Sequence, residues 1–321
     1  MRSLVTGGAG FIGSHLVDSL IQKGDEVVVI DDLSTGRRTN ISNLVDTDSI
    51  RFLEGSILDE DLVEEAMSGV DVVYHLAAAV GVELIVEKPL ESLTTNIRGS
   101  EIVFEKALRH GSRVLVTSTS EIYGKNTSDR LKEDDDRILG SPLKSRWSYS
   151  EAKAIDEILA YTYWKTHGLE TVIVRLFNTV GPRQTGSYGM VIPRFVSQAL
   201  QGAPITVYGS GEQTRCFCFV GDIVSGMMSL CEHPQAFGKV FNLGGSEEIS
   251  MKDLANRVVE ISHSSSPIEF VPYDVAYEEG FEDMQRRVPD TTRARELVGF
   301  QPTVGLDEVI SMVIDEQRQH S

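Results

Sequence analysis

Tyr149 and Lys153 close the run Tyr149-Ser150-Glu151-Ala152-Lys153, a spacing that on a helix puts a phenol and an ammonium one turn apart on one face. A cation beside a phenol favours the phenolate. The pair therefore predicts a tyrosine drawn down from its usual ~10, able to take a proton from a hydroxyl while the attached carbon gives up hydride. Upstream, Thr119, Ser120 and Glu121 supply two hydroxyls and a carboxylate in consecutive positions. Hydride needs an acceptor, and the N-terminus offers a place to hold one. Gly7, Gly8, Gly10 and Gly13, with Phe11 and Ile12 among them, follow the short run Ser3 to Thr6 and open a helical pattern. In a strand-turn-helix, such glycines let the backbone approach a pyrophosphate, and the helix N-terminus presents N–H donors and a positive dipole. Asp31, about twenty residues beyond the glycines, is the expected acceptor for a ribose 2'-hydroxyl, and Asp32 adds charge that would repel a 2'-phosphate. Arg37 and Arg38 oppose that reading, since they could neutralise such a phosphate; the two carboxylates favour NAD over NADP.

Groups so far apart in the chain act together only if the elements carrying them end at one edge. Short β-branched runs at Ser3 to Thr6, Glu26 to Ile30, Ile50 to Glu54, Val70 to Leu76, Ser112 to Thr117 and Glu170 to Leu176 read as strands. Between them, Ile12 to Lys23, Leu58 to Met67, Thr94 to Arg109 and Ser150 to Thr166 have helical period, and Gly24, Gly69, Gly111 and Gly168 stand where those helices should stop. This alternation predicts an α/β fold, a doubly wound parallel Rossmann sheet, which gathers ligands at the carboxyl ends of its strands. After Asn178, closely spaced prolines and glycines mark a second, smaller α/β lobe. We expect residues 1–178 plus about 216–246 in the dinucleotide-binding domain, with Arg215 to Leu230 and Val240 to Leu243 returning to the sheet. About 179–215 plus 247–321 should form the substrate lobe. The charged run Lys132 to Arg137 reads as a solvated loop.

The chain has 321 residues, 41% of them apolar, enough for a large core without staples. Its formal charge of -18 disfavours nucleic acid and anionic membrane surfaces as partners. An anionic substrate must then be held by a local cluster of arginines or helix N-termini. The three cysteines, Cys216, Cys218 and Cys231, lack metal-like spacing and read as reduced core thiols, Cys216 and Cys218 on one face of a strand. No metal site is expected. Neither a secretory leader nor a membrane span is legible, so the reading is cytoplasmic.

Further residues make the pattern specific. These are His75-Leu76-Ala77-Ala78, Asn96, Tyr123-Gly124, Arg175 to Arg183 (R-L-F-N-T-V-G-P-R), Tyr208-Gly209 to Arg215, Asp222, and Arg287 to Asp290. With the glycine loop, Asp31, Thr119 to Glu121, Tyr149 and Lys153, the chain resembles, nearly end to end, an extended short-chain dehydrogenase/reductase of the nucleotide-sugar epimerase, dehydratase and decarboxylase group. The resemblance implies that Gly7, Gly10, Phe11, Ile12, Gly13 and Asp31 meet the cofactor. Asp32, Ser34, Gly36, Ile57, Leu76, Ala77, Ala78, Asn96 and Lys153 would complete its site. Ser56 belongs there too, although many relatives carry Asp at that place near the adenine. On the substrate side it implies Asn178, Val191, Arg194, Val207 and Tyr208, with Arg215 and Arg287 clamping the diphosphate of a UDP-sugar.

Within the group, Thr119-Ser120-Glu121 resembles UDP-glucuronate decarboxylases and some 4,6-dehydratases, whereas 4-epimerases usually carry a small or hydroxyl residue in place of Glu121. Arg146-Trp147-Ser148-Tyr149-Ser150, Arg215-Cys216-Phe217 and Tyr277 to Pro289 look most like decarboxylases. The glycine loop and Asp31 to Gly36 look equally like 4-epimerases. The leading expectation is a UDP-glucuronate decarboxylase acting through a 4-keto sugar, with Tyr149, Lys153, Thr119, Ser120 and Glu121 as its catalytic residues. A UDP-sugar 4-epimerase, a 4,6-dehydratase and, remotely, a non-catalytic dinucleotide-binding module are the alternatives. Relatives pair through two helices each, so a homodimer through Thr94 to Arg109 and Ser150 to Thr166 is expected.

Overall fold

A computed structural model describes residues 1–79, 89–144, 147–186, 190–272, 284 and 286–319. Strands β1 (Arg2–Thr6), β2 (Glu26–Asp31), β3 (Ile50–Glu54), β4 (Val72–His75), β5 (Arg113–Thr119), β6 (Thr171–Leu176) and β11 (Lys239–Leu243) form one seven-stranded sheet. Its order is β11-β6-β5-β4-β1-β2-β3, every pair is parallel, and the direction of winding switches between β1 and β4. All carboxyl ends therefore lie along one edge, as doubly wound sheets require.

The two-residue period of the strands divides the core. Val5, Val27, Val29, Leu115 and Val174 face one side, where α1 (Phe11–Lys23) contributes Leu16, Val17 and Leu20. Leu4, Val28, Ile30, Val114 and Val116 face the other, against α3 (Glu60–Met67), α4 (Pro89–His110) and α5 (Ser148–His167). Each aliphatic side chain fully buried this way is worth about 1.5–3 kcal/mol. Helix α4 starts earlier than Thr94 because Pro89 suits a first helical turn.

The returning segment differs from expectation. Only β11 rejoins the sheet; β9 (Thr214–Cys216) and β10 (Cys218–Phe219) pair elsewhere. Cys216 and Cys218 therefore do not share a strand. The chain switches partners around Phe217, where Asn178 donates to the Cys216 carbonyl and accepts from the Cys218 N–H. Helix α7 (Val220–Glu232) does pack beneath the sheet through Val220, Ile223, Met227 and Leu230. A separate core joins α6 (Val191–Leu200), β8 (Ile205–Tyr208), α8 (Met251–Ser262) and α10 (Leu306–Gln319). Ala294, in α9 (Thr292–Val298), and Phe300 pack with the sheet instead of this lobe.

The run Lys132 to Arg137 is not wholly solvated. Glu133 is buried and its Oε1 accepts from the Asn242 N–H at 2.9 Å, because the loop is drawn under the end of β11. Among the described residues no helix is long and apolar enough to cross a membrane.

Candidate active site

Gly7 leaves β1 with φ +73°, and a Cβ there would lie 2.8 Å from the Ala77 backbone nitrogen. A Cβ on Gly13 would lie 2.1 Å from the Gly7 carbonyl, so both glycines are fixed by close backbone approach. Gly10 begins α1 with no side-chain cap, which leaves the N–H groups of Phe11, Ile12 and Gly13 directed out of the helix end. Asp31, at the end of β2, accepts from Ala9 N–H and Leu33 N–H, both at 2.9 Å, and burial raises its pKa. Gly36 passes so close that a Cβ would meet Asp31 Oδ1 at 2.7 Å. Asp32 turns to the N–H and hydroxyl of Ser34. Arg38 pairs with Glu54 at 3.2 Å and covers the Phe52 ring, which commits one of the two arginines that opposed NAD.

The floor between the two halves is Leu76 to Ala79. Asn96 fixes it by accepting from the Ala79 N–H at 2.7 Å and donating to the Ala79 carbonyl at 3.3 Å. Below it, His75 is buried between Thr6 Oγ1 at 2.8 Å and Ser100 Oγ at 3.0 Å, and burial pushes its pKa down to about 3. Ser56 accepts from the Leu58 N–H. Ile57 packs its side chain on Gly99, so a ligand in this cleft would meet its main chain.

Thr119 ends β5, and its hydroxyl accepts from the Glu121 N–H at 3.2 Å, which shapes the single turn Ser120–Tyr123. Ser150, on α5, donates to the Glu121 carbonyl at 3.0 Å and brings that turn against the helix carrying Tyr149 and Lys153. The lowered tyrosine expected from the Lys153 neighbour is not what the chain shows. Burial pushes the Tyr149 pKa above its usual value, and the charges of Glu121 and Asp156 push it the same way. Lys153 Nζ is turned to Asp156 Oδ2 at 3.0 Å, with both side chains almost completely inaccessible.

Arg287 comes in from the lobe. It lies in β14 (Arg286–Arg287), which pairs with β9 so that Arg287 stands beside Arg215. Its Nη1 lies 3.4 Å from Ser120 Oγ and 3.5 Å from Glu121 Oε1. The guanidinium expected at a diphosphate thus reaches the Thr119–Glu121 turn. Arg215 is buried and donates to the Thr214 carbonyl. Arg194 stacks over Tyr208 at 4.3 Å and donates to Thr206, while Val191 opens α6 beside it. Val207 is buried in the lobe core, which leaves only its main chain for a ligand. Asn178, with φ +28°, is held at the crossing near Cys216. Arg146 and most of Tyr277 to Pro289 lie outside the described residues; Trp147 is buried at the start of α5.

Two further groups brace the site, and neither is among the expected catalytic or binding residues. Asp156 carries a sequence signal, an acid three residues after Lys153. Arg175, the first residue of the R-L-F-N-T-V-G-P-R run, pairs with Glu157 at 2.8 Å and donates to the Tyr123 hydroxyl and the Glu133 carbonyl, which locks the base of the Ser120–Tyr123 turn.

A doubly wound sheet with a glycine-rich first turn, an acid ending β2 and a tyrosine–lysine helix packed on β5 and β6 defines a dinucleotide-dependent enzyme with a second, smaller core. Residues 4–313 match the family described as GDP-mannose 4,6 dehydratase, and the chain belongs to this family of extended short-chain dehydrogenases/reductases. It is 40% identical over 319 residues to a UDP-N-acetyl-alpha-D-glucosaminuronate decarboxylase of Bacillus cytotoxicus, covering 99% of this chain and 98% of that protein. UDP-glucuronic acid decarboxylase 1 of Arabidopsis thaliana is 38% identical, with 99% of this chain and 70% of that protein covered. Among solved structures, the UDP-glucuronic acid 4-epimerase of Bacillus cereus in complex with UDP-glucuronic acid and NAD matches with a TM-score of 0.89. It is 30% identical, over 100% of both chains.

This cradle fits NAD. Cβ-free glycines give the backbone room for a pyrophosphate, and Asp31 retains a lone pair for a ribose hydroxyl beside its backbone bonds.

Proposed function

We propose that the chain is an NAD-dependent UDP-glucuronate decarboxylase working through a 4-keto sugar. The observation that carries this reading is the cluster Ser120, Glu121 and Arg287 beside Tyr149. A guanidinium at the reacting end, beside the Ser120 hydroxyl and in a chain of charge -18, is suited to a sugar carboxylate. NAD, held by Gly7 to Gly13, Asp31, the Leu76 to Ala78 floor and Lys153, supplies the acceptor for the C4 hydride and its source on return. Tyr149 takes the proton of the C4 hydroxyl, and Thr119 holds that hydroxyl in place. Ser120 and Arg287 receive the carboxylate. The resulting β-keto acid loses carbon dioxide as the C5–C6 bond breaks, its electron pair passing through C5 into the C4 ketone. Glu121 orients the ring or the water that returns a proton to C5. Arg215, Asn178 and the Arg194–Tyr208 pair serve the UDP part.

The first test uses UDP-glucuronate labelled at the carboxyl carbon, with products read by mass. The expected outcome is loss of the label as carbon dioxide and formation of a UDP-pentose. UDP-galacturonate with the label retained establishes epimerisation instead. The Bacillus cytotoxicus relative favours UDP-N-acetylglucosaminuronate as a parallel substrate.

The reading includes a cytoplasmic homodimer. Helices α4 and α5 pack side by side, and α5 leaves Ile158 61% and Tyr161 45% exposed on its outer face. A partner's matching helices would bury them. A monomer in sedimentation at micromolar concentration would end the dimer reading.

A further inference from the structure

Asp156 has a place in the site that the Tyr149–Lys153 pair does not account for. It is fully buried, and among the described residues its one hydrogen bond is accepted by Oδ2 from Lys153 Nζ at 3.0 Å. Its second oxygen is buried without a hydrogen-bond partner. A carboxylate kept in the interior with half its acceptor capacity unused is costly as structural cement. Lys153 is itself 2% exposed, and a buried ammonium without a counter-charge tends to shed its proton. We propose that Asp156 is a positioning residue that keeps Lys153 an ammonium, and aimed along α5, in the closed interior beside Tyr149.

The surrounding groups agree with this assignment. His75, at the end of β4, is held neutral by burial and then by the Lys153 charge, and its pKa lies at about 3. It therefore cannot supply or remove charge around neutrality. Glu121 faces Tyr149 from the turn after β5 and is partnered by Arg287. Glu157, next in sequence, is committed to Arg175 and Ser118. Asn96 and Ser100, from α4, carry no charge. Among the described residues, Asp156 is thus the acid joined to the lysine.

The inference rests on Lys153 serving with Tyr149, but its test does not depend on turnover. Purified protein without added cofactor is treated briefly with acetic anhydride at pH 7, and acetylation of Lys153 is quantified by mass spectrometry against the exposed Lys125. Only the neutral amine reacts. In Asp156→Asn, labelling of Lys153 relative to wild type should rise at least about tenfold, since unpaired burial displaces lysine protonation by several pH units. Asp156→Ser serves as the second variant should the amide prevent folding, with circular dichroism confirming the fold. Turnover of the Asn variant at pH 6 should recover towards wild type and fall away by pH 8. Equal labelling in variant and wild type, or a loss of turnover that does not vary with pH, would overturn the assignment. If no nucleotide sugar is turned over by wild type, the reaction assignment fails while the labelling result still decides the role of Asp156.

Discussion

The cofactor end and the reacting end are built from different materials. At the first, the main chain does most of the work: Gly7 and Gly13 are fixed by backbone contacts of 2.8 and 2.1 Å, and α1 offers uncapped N–H groups. Asp31 is fixed beside that loop by the backbone N–H groups of Ala9 and Leu33. At the second, ionisable side chains from distant segments are brought together. Glu121, Tyr149, Lys153, Asp156 and Arg287 come from a turn, a helix and a strand of the other lobe. A backbone site responds to bulk, while a side-chain site responds to charge. The two ends should therefore fail separately.

The sharpest separation is Tyr149→Phe. Only the titrating oxygen is removed, so turnover should fall by about 100-fold or more while NAD affinity, measured by calorimetric titration, stays close to wild type. Retention of more than about a tenth of the rate would remove Tyr149 from proton transfer. Asp31→Ala should do the converse. NAD binding weakens about tenfold through loss of a charge-assisted hydrogen bond, and the gap between NAD and NADP narrows, with little change in kcat once cofactor is saturating. An unchanged NAD:NADP ratio would show that Asp31 does not read the ribose.

A smaller effect should appear in the floor shared by both ends. His75 is pushed to about 3 in the folded chain, below its ordinary 6.5 when unfolded. The unfolded chain therefore takes up the proton first. The stabilisation is complete above pH 6.5 and is lost as pH falls towards 3, at about 1.4 kcal/mol per pH unit within that window. Urea unfolding of wild type and His75→Gln at pH 7, 6 and 5 should show the wild-type stability falling more steeply. Parallel pH dependences would contradict the burial argument.

The same contrast explains what was legible in the sequence. The glycine loop, Asp31, the strands and the Tyr149–Lys153 spacing are local patterns, set by periods of two and 3.6 residues and by glycine chemistry. Arg287 reaching Glu121 depends on β14 pairing with β9 so that Arg287 stands beside Arg215, a tertiary register that no local pattern encodes. Glu133 reads as one acid in a solvated run, and only the approach of Asn242 buries it. Asp156 was visible at i+3 from Lys153, but such pairs ordinarily lie on solvated helix faces, and burial on both sides of α5 was not legible from spacing. The raised Tyr149 has the same origin: burial raises it first, and the charges of Glu121 and Asp156 add to that, an environment that the Tyr149–Lys153 spacing does not encode.

The division of labour within the reacting end is tested most directly by Glu121→Gln in a single turnover with UDP-glucuronate. Reduced nicotinamide is followed by absorbance and carbon dioxide by release of the carboxyl label. In the proposed mechanism the first oxidation uses Tyr149 and Lys153 without Glu121, so absorbance should rise at close to the wild-type rate while carbon dioxide appears about tenfold more slowly or later. Equal slowing of both signals, or carbon dioxide release at the wild-type rate, would contradict the account.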